Sequence, residues 1–493
     1  MRDSGRGRLA GGIHRWTVRG AFISLLLGVV LAAPDAQAVR PAMEGGTAHS
    51  LALKSDGTLC VYGDNSIGEL GNGGNTDTNV PTALAGLTNV VSASGGGIHS
   101  LAALSDGTAR AWGWNYYGQL GNGNNTDTNA PVVVTGLSNV ISVSGGWNHS
   151  LALRSDGTVR SWGYNVRGEL GNGDNNNANA PVTVTGLATV KAVAAGGEHS
   201  LALLSNGTVY AWGRNSKGEL GNGGNMDTNA PVVVSGLFDV MAVAAGGGHS
   251  LALLSNKTVR AWGWNAYGQL GNGSTNNANV PVVVTGLSNI VEVACGQTHS
   301  LALRSDGTVW AWGFNGEGEL GNGTLATTNV PIKVGGLTRM AAVGCGDSHS
   351  MALKSDGTAW AWGWNAHGQL GNGATNDATV PVQVSSLNLA ATLWAFALDT
   401  AGGWKVLGWF GFFLDQGDGW VYHAELGWQY GVGTTPASFW LWSSRLHWLW
   451  SSANVYPFFW YHDGQAWLWY YRGTGAGAGG WFHNFGTGQN EWH

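Results

Sequence analysis

The stretch GWNHSLALRSDGTVRSWGYNVRGELGNG, residues 146–173, carries the pattern that decides the fold. Its His-Ser pair recurs every 50 residues, at His49, His99, His149, His199, His249, His299 and His349. A proline keeps the same step from Pro81 to Pro381. Seven copies of constant length, without insertions, predict a closed or stacked array of equivalent units.

Each unit is expected to contain four short strands. Alternating or β-prone segments predict strands in the third copy at residues 140–144, His149 to Arg154, Thr158 to Trp162, and Pro181 to Val184. The Asp156-Gly157 pair is typical of a tight hairpin turn, and proline suits an edge strand. Four antiparallel strands per repeat predict one propeller blade. The expected fold class is therefore all-β, a seven-bladed β-propeller of 50-residue four-stranded repeats over residues 39–396.

The N-terminus has the features of an export signal at residues 1–38. A leader with five arginines precedes an apolar run from Ala21 to Ala33, and Ala36-Gln37-Ala38 resembles a cleavage site. The run is short for a bilayer span of ~20 residues, although an N-terminal anchor helix is the alternative. We expect a secreted, extracytoplasmic protein without a membrane span in the mature chain.

The tail, residues 397–493, has a different composition and is crowded with aromatic residues. Pairs such as Trp420/Tyr422 and Trp428/Tyr430, or Trp440/Trp442 and Trp448/Trp450, are spaced for one face of successive strands. This spacing predicts a small aromatic-rich β-hairpin C-terminal domain. Its rings either fill a core or bind a surface polysaccharide, because aromatic faces stack on sugars.

The overall composition narrows the choice of partner. The chain has 82 glycines and 27 tryptophans, and its net charge is −6. A weakly acidic chain without basic runs is not expected to bind nucleic acid. Cys295 and Cys345 stand at equivalent places in neighbouring repeats, so a disulfide between them is an open alternative to buried free thiols.

The pattern GxxHSxALxSDGTxxxWGxNxxGxLGNG resembles the regulator of chromosome condensation repeat, over about residues 39–390. The resemblance implies a seven-bladed propeller. The family includes secreted bacterial members resembling β-lactamase inhibitory protein II, which makes a protein partner plausible. The tail is similar, by pattern alone, to the hairpin repeats of choline-binding and glucan-binding surface proteins.

Residues that could suggest chemistry have structural interpretations. In a seven-fold ring the repeated histidines stand too far apart for zinc ligands, which lie ~2 Å from the metal, so we interpret His-Ser as a hydrogen-bonded blade staple. The Glu69 position alternates with glutamine, as at Gln119, which excludes a catalytic carboxylate and suits a backbone cap. No catalytic motif is found, and we expect no enzyme activity, cofactor or metal.

The loop after the third strand is the expected partner-binding site. In W-G-x-N-x-x-G the scaffold letters barely change, whereas the x positions are rich in aromatic and cationic residues, the usual interface anchors. The predicted binding residues are Trp114, Tyr116, Tyr117, Tyr164, Arg167, Arg214, Lys217, Trp264, Tyr267, Phe314, Trp364 and His367. The alternative is that the first aromatic of each loop packs under its own blade.

The sequence therefore favours a secreted or cell-surface interaction protein that presents a propeller loop face to a protein partner. The tail would serve as a surface or glycan anchor. The alternative is an extracellular propeller enzyme with a site at one mouth of the channel, marked by unlike polar residues that break the repeat.

Overall fold

A computed structural model describes residues 39–389 and, in the tail, the strands between Leu398 and Trp492. The first four blades are built in chain order from β1 (Ala42–Gly45), β2 (His49–Leu53), β3 (Leu59–Gly63), β4 (Thr78–Ala83); β5 (Val90–Gly95), β6 (His99–Leu104), β7 (Ala109–Gly113), β8 (Thr128–Val133); β9 (Val140–Gly145), β10 (His149–Arg154), β11 (Val159–Gly163), β12 (Ala178–Thr183); β13 (Val190–Ala195), β14 (His199–Leu204), β15 (Val209–Gly213), β16 (Thr228–Val233). The last three are built from β17 (Val240–Ala245), β18 (His249–Leu254), β19 (Val259–Gly263), β20 (Ala278–Val283); β21 (Ile290–Cys295), β22 (His299–Arg304), β23 (Val309–Gly313), β24 (Thr328–Lys333); β25 (Met340–Cys345), β26 (His349–Lys354), β27 (Thr358–Gly363), β28 (Ala378–Asn388).

Each blade is a four-stranded antiparallel sheet whose strands follow one another in chain order. The seven-bladed propeller of four-stranded repeats is thus confirmed. The fourth strand begins earlier than the sequence predicted, at Ala178 rather than Pro181. Its pairing runs from Gly163↔Ala178 to Arg160↔Thr183 across a bulge. Proline is accommodated here because the outer edge of the blade does not need its missing N–H.

The hydrophobic core is divided among the spaces between neighbouring blades. In six of the seven blades the tryptophan of the third strand is fully buried against the preceding blade, as Trp112 is against Leu51, Val61 and Leu70, and Tyr62 takes this place in the first blade. The Trp112 indole Nε1 donates to the Glu69 carbonyl at 2.7 Å. Gly71 is required beside this ring, since it has a positive φ of 67° and an added Cβ would lie 2.7 Å from the indole. Stability therefore resides in blade-to-blade packing.

The predicted His-Ser staple is present at all seven junctions between blades. His49 Nε2 lies 2.9 Å from Ser100 Oγ of the next blade, and Ser100 Oγ donates to the Glu69 carbonyl at 2.8 Å. Because the hydroxyl proton is used there, the histidine Nε2 must carry the proton it donates. Burial lowers the pKa of His149 to about 3 and that of His199 to about 4. The staple histidines are neutral, hydrogen-bonded structural groups.

The ring closes between the seventh and first blades with the same His-Ser staple as the other junctions. His349 Nε2 lies 2.8 Å from Ser50 Oγ, and Asp347 N donates to Gly46 O at 3.1 Å. Residues 40–46 and 388–394 occupy equivalent places in the repeat, before the first and after the seventh blade, and this equivalence predicts that they lie side by side here or that one replaces the other. β1 supplies the first strand of its own blade, while Leu389 O accepts from Ser55 N at 3.1 Å. Residues 390–394 lie outside the described part of the chain.

The first strand of each blade lines a central channel. Seven equivalent positions surround an axial space of about 70 Å³: Gly45, Gly95, Gly145, Ala195, Ala245, Cys295 and Cys345. All three cysteines are free thiols, so the Cys295–Cys345 disulfide is not formed. Cys295 is only half-buried, in contrast to the predicted buried residue, and lies at the lining of this axial space.

In the tail, the described strands pair antiparallel in chain order. They are β29 (Leu398–Asp399), β30 (Lys405–Leu407), β31 (Gly411–Asp415), β32 (Trp420–His423), β33 (Gly427–Thr435), β34 (Ser438–Ser443), β35 (His447–Ser452), β36 (Phe458–Tyr461), β37 (Ala466–Tyr470), β38 (Trp481–Asn484) and β39 (Gln489–Trp492). The register pairs Trp420 with Tyr430 and Trp440 with Trp450.

The expected export signal, residues 1–38, lies outside the described residues. Within the described part of the chain, no helix is long and apolar enough to cross a bilayer.

Candidate binding face

Two sets of loops emerge at the same end of the propeller. One joins the first and second strands of each blade, and the other joins the third and fourth, so residues 46–48 and 64–77 of the first blade and their equivalents share what we call the loop face. The longer loop is held by a buried asparagine. Asn115 Nδ2 donates to Asn122 Oδ1 at 3.2 Å and to Asn124 O at 3.0 Å, while its Oδ1 accepts from Leu120 N at 2.9 Å.

The Glu/Gln position of the loop is a backbone cap, as its alternation suggested. Gln119 Oε1 accepts from Tyr117 N at 2.9 Å, and Glu169 Oε2 accepts from Arg167 N at 2.9 Å. Burial raises the pKa of Glu169 to about 7, partly offset by these N–H donors. An amide oxygen caps the same N–H, and this equivalence explains why glutamine and glutamate interchange here.

The loop geometry presents the predicted residues in a repeated register. The first x position of each loop is half-buried: Asp64, Trp114, Tyr164, Arg214, Trp264, Phe314 and Trp364. The fully buried place under the blade is already taken by the Trp112 equivalents, which have no exposed surface. The first aromatic of the loop therefore does not pack in the blade core.

Four aromatic rings on the second and third blades form a continuous surface, which we call the aromatic patch: Trp114, Tyr116, Tyr117 and Tyr164. Tyr117 lies between the blades, with its ring centroid 5.5 Å from that of Trp114 and 4.8 Å from that of Tyr164. Tyr116 remains 66% exposed. These rings support one another and still offer apolar surface to solvent.

A second group of rings borders a cleft on the fourth to sixth blades. Tyr267 lies 5.5 Å from Trp264 and 5.0 Å from Phe314, centroid to centroid, and both contacts are edge-on. The cleft measures about 460 Å³, and Arg214, Lys217 and Trp147 also line it. Trp364 and His367 of the seventh blade form a further edge contact at 5.6 Å.

At other junctions between blades, polar and charged residues occupy the x positions of the loop that carry aromatic rings in the second and fifth blades. Arg167 Nη1 lies 3.1 Å from Asp227, and Arg214 Nη1 lies 2.6 Å from Glu198. Between the seventh and first blades, His367 Nδ1 lies 2.9 Å from Asp77 and 3.7 Å from Asp64.

His367, Asp77 and Asp64 are close enough together to hold a metal ion, since their ligand atoms lie within 4.8 Å of one another. Each carboxylate is already engaged, however, because Asp77 Oδ1 accepts from Asn65 N and Asp64 Oδ1 accepts from Ser66 N, both at 3.0 Å. A hydrogen bond between His367 Nδ1 and Asp77 Oδ2 at 2.9 Å accounts for the arrangement, so it does not require a metal.

Sequence reasoning missed Trp147 as a residue of this face. Its indole Nε1 lies 3.4 Å from Asp347 Oδ1 across the channel mouth, and Thr47 Oγ1 donates to Asp347 Oδ2 at 2.7 Å. Burial raises the pKa of Asp347. Variation among the repeats could have identified this position, as it identified the x positions. Its residues are Thr47, Gly97, Trp147, Gly197, Gly247, Gln297 and Asp347.

Comparison with known families agrees with this geometry. A family model described as the RCC1-like domain matches residues 138–406, more than half of the chain. The chain belongs to the RCC1-like family. Models described as the regulator of chromosome condensation (RCC1) repeat also match residues 56–103, 106–153 and 90–119. No curated protein matches the sequence.

Solved structures share the RCC1-like propeller. Human WBSCR16 is 28% identical with a TM-score of 0.61, covering 66% of this chain and 94% of its own. Prp20p from Saccharomyces cerevisiae is 24% identical with a TM-score of 0.60, covering 71% and 88%. A structure of Kap60 bound to yeast RCC1 (Prp20) gives 24% identity and a TM-score of 0.61, covering 74% and 91%. The two yeast comparisons bear on the fold alone.

Proposed function

We propose that this RCC1-like chain is a non-enzymatic binding protein that presents its loop face to a protein partner. The observation that carries the proposal is the aromatic patch, in which Tyr116 is 66% exposed beside Trp114 and Tyr117. Aromatic side chains that stay accessible and rigid are the usual anchors of protein interfaces. The structure supports this use because the loop scaffold is fixed by buried asparagines while the varied residues project from it.

The known binding of a structural relative is consistent with such a platform. Prp20p is described with binding properties to Gsp1p and histones, and in a second structure it is bound to Kap60. Those partners are properties of the yeast protein. For this chain they support only the proposal that a propeller of this fold acts by binding proteins.

The enzyme alternative predicted unlike polar residues at one mouth of the channel, and Arg214, Lys217 and Glu219 do meet in the cleft. Their contacts favour a structural role for the carboxylate. Glu219 Oε2 accepts from Lys217 N at 2.7 Å, and its Oε1 lies 3.5 Å from Arg214 Nε. A carboxylate committed to its own loop in this way is poorly placed to act on a substrate.

The proposal places the protein outside the cytoplasm, as in the secreted branch that the repeat resembles, with the tail as a surface or glycan anchor. The basic leader, apolar run and small-residue site before Val39 support export. N-terminal sequencing of the mature protein is expected to begin near Val39. Retention of the tail on cell-surface polysaccharide would support the anchor, and failure to bind any such material would leave the core-filling interpretation.

The loop-face proposal is tested by affinity capture from the native culture, with identification by mass spectrometry and confirmation with the purified partner. Replacing Trp114, Tyr117, Trp264 and Tyr267 with alanine is expected to abolish capture and leave the fold intact. The matched control is Phe238→Ala, because Phe238 is 78% exposed on the loop before β17, at the other end of the propeller. Equal capture by the quadruple variant and the wild type would place the binding surface elsewhere.

A further inference from the structure

Two glycines help to open the cleft on the fourth to sixth blades. Gly247 and Gly248 form its floor, whereas equivalent positions carry Trp147 in the third blade and Gln297 in the sixth. A Cβ on Gly247 would lie 2.8 Å from Gln297 Cγ. The resulting volume of about 460 Å³ falls within the ~300–1,000 Å³ typical of ligand pockets.

One wall of the cleft is aromatic and held in place by its own contacts. Tyr267 packs edge-on against Trp264 at an interplanar angle of 75° and against Phe314 at 68°. Edge-on pairs of this kind fix ring orientation. Because Tyr267 is still 38% exposed, the wall can accept a further flat or apolar group without rearrangement.

The fourth blade contributes an unpaired positive charge to the lining of the cleft. Arg214 is neutralised by Glu198 at 2.6 Å and Glu219 at 3.5 Å. The Lys217 side chain is exposed, and its ammonium has no ion-pair partner among the described residues.

Comparison with the preceding junction explains why this charge is free. There, Arg167 pairs with Asp227, whose other oxygen accepts from Asn215 N at 2.8 Å. One repeat later the position of Asp227 is Asn277, which keeps the same cap by accepting from Asn265 N at 2.9 Å. The amide preserves the loop and removes the counter-charge that would face Lys217.

We propose that this cleft binds an acidic-aromatic segment of the protein partner. One aromatic side chain would pack against Trp264, Tyr267 and Phe314, and the carboxylate of a neighbouring aspartate or glutamate would pair with the Lys217 ammonium. The inference rests on the proposed function and specifies the chemistry of the partner. Charge complementarity selects the occupant, because the aromatic wall alone does not distinguish acidic from basic segments.

The probe is a labelled peptide, acetyl-GSDFDSG-amide, titrated into the full chain by fluorescence anisotropy. Lys217→Ala is expected to weaken binding about tenfold, the scale of one lost charge-assisted hydrogen bond. Lys217→Arg should remain within about twofold, and binding should weaken with salt. Lys257→Ala is the matched control, since Lys257 lies in the turn between β18 and β19 at the other end of the propeller.

Two comparison peptides test the contribution of the charged residue and of the aromatic rings of the cleft separately. Acetyl-GSKFKSG-amide and acetyl-GSDADSG-amide should both bind at least tenfold more weakly than the Asp-Phe-Asp peptide. The proposal would be overturned by equal binding of all three peptides or by no binding of the Asp-Phe-Asp peptide. Equal effects of Lys217→Ala and Lys257→Ala on its binding would also overturn it. Tighter binding of free N-acetylphenylalanine than of the peptide would also overturn it, in favour of a small-molecule site.

The outcomes distinguish this proposal from the broader one. If the Asp-Phe-Asp peptide does not bind but Trp114→Ala/Tyr117→Ala abolishes partner capture, the loop face stands and the cleft assignment falls. If the peptide binds in a Lys217-dependent manner but capture is unchanged in the quadruple variant, which lacks Trp264 and Tyr267, the cleft recognises acidic-aromatic peptides but is not the site of the captured partner, and the loop-face function falls.

Discussion

At the residue scale, Lys257 departs from the repeat in a way that costs stability. It has a φ of +64° at the turn position that is glycine in the other six repeats. A side chain with a Cβ pays roughly 1–2 kcal/mol in this left-handed region, and the greater freedom of glycine in the unfolded chain offsets part of that. Lys257→Gly should therefore raise the free energy of unfolding by roughly 0.5–1 kcal/mol in urea denaturation.

The reciprocal change provides the control. Gly207 has a φ of +83° at the same place in the fourth blade, and an added Cβ would lie 3.2 Å from Val240 N. Gly207→Lys should lower stability by a similar amount or more. A neutral result for both variants would show that this turn does not store strain.

At the element scale, the staple between blades gives each junction a buried polar link. Ser200 Oγ accepts from His149 Nε2 at 2.9 Å and donates to Glu169 O at 3.0 Å. Ser200→Ala leaves the buried His149 Nε2–H donor without its partner, while Glu169 O still accepts from Trp212 Nε1 at 2.8 Å. The free energy of unfolding should therefore fall by about 1–3 kcal/mol. Chemical denaturation measures this directly, and Ser205→Ala, at an exposed turn position, should change stability by less than about 0.5 kcal/mol.

At the scale of the whole molecule, seven buried neutral histidines make the propeller sensitive to acid. Burial lowers the pKa of His99, His249 and His349 to about 3, and that of His49 and His299 to about 4. Below an unfolded pKa of about 6.5 the unfolded chain binds more protons, so this contribution to stability is full above pH 6.5 and is lost as pH falls towards 4.

Buried carboxylates act in the opposite direction. Burial raises the pKa of Glu44 to about 8, of Glu169 and Glu319 to about 7, and of Glu69 to about 6. Their contribution is full below pH 4.5 and declines as pH rises towards those values.

Burial also raises the pKa of Glu219, Glu292 and Asp347, so the carboxylates and the histidines oppose each other between pH 4.5 and 6.5. The Tm should therefore fall steeply only below about pH 4.5, where the carboxylate contribution is full and the histidine contribution is still being lost. A Tm that does not fall between about pH 4.5 and pH 3 would contradict protonation-linked unfolding.

Whether the propeller folds without the tail is also decided at the scale of the whole molecule, and we predict that it does. All seven blades are complete by Leu389, and ring closure uses residues of the first and seventh blades. A chain truncated after residue 396 should remain soluble and melt in one cooperative transition, followed by circular dichroism. Loss of the folded propeller on truncation would show that the tail is integral to it.

The sequence by itself determined the repeat, the blade and the structural roles of its most regular residues. Constant 50-residue spacing identifies seven units, and the alternation of Glu69 with Gln119 already indicates a cap and not a catalyst. Such features are predictable because they depend on local strand periodicity and on contacts repeated at every junction. The start of the fourth strand at Ala178 escaped prediction, since it depends on pairing with a neighbouring strand.

Only the tertiary structure decided which of the varied residues meet. Trp147 reaches Asp347 from 200 residues away, because closing the ring brings the third and seventh blades to one channel mouth. Lys217 is left without a counter-charge by Asn277, a residue of the next blade. The loop-face positions could be predicted from one repeat, but their clustering into a patch and a cleft depends on the differences between adjacent repeats in a closed ring, which local patterns do not encode.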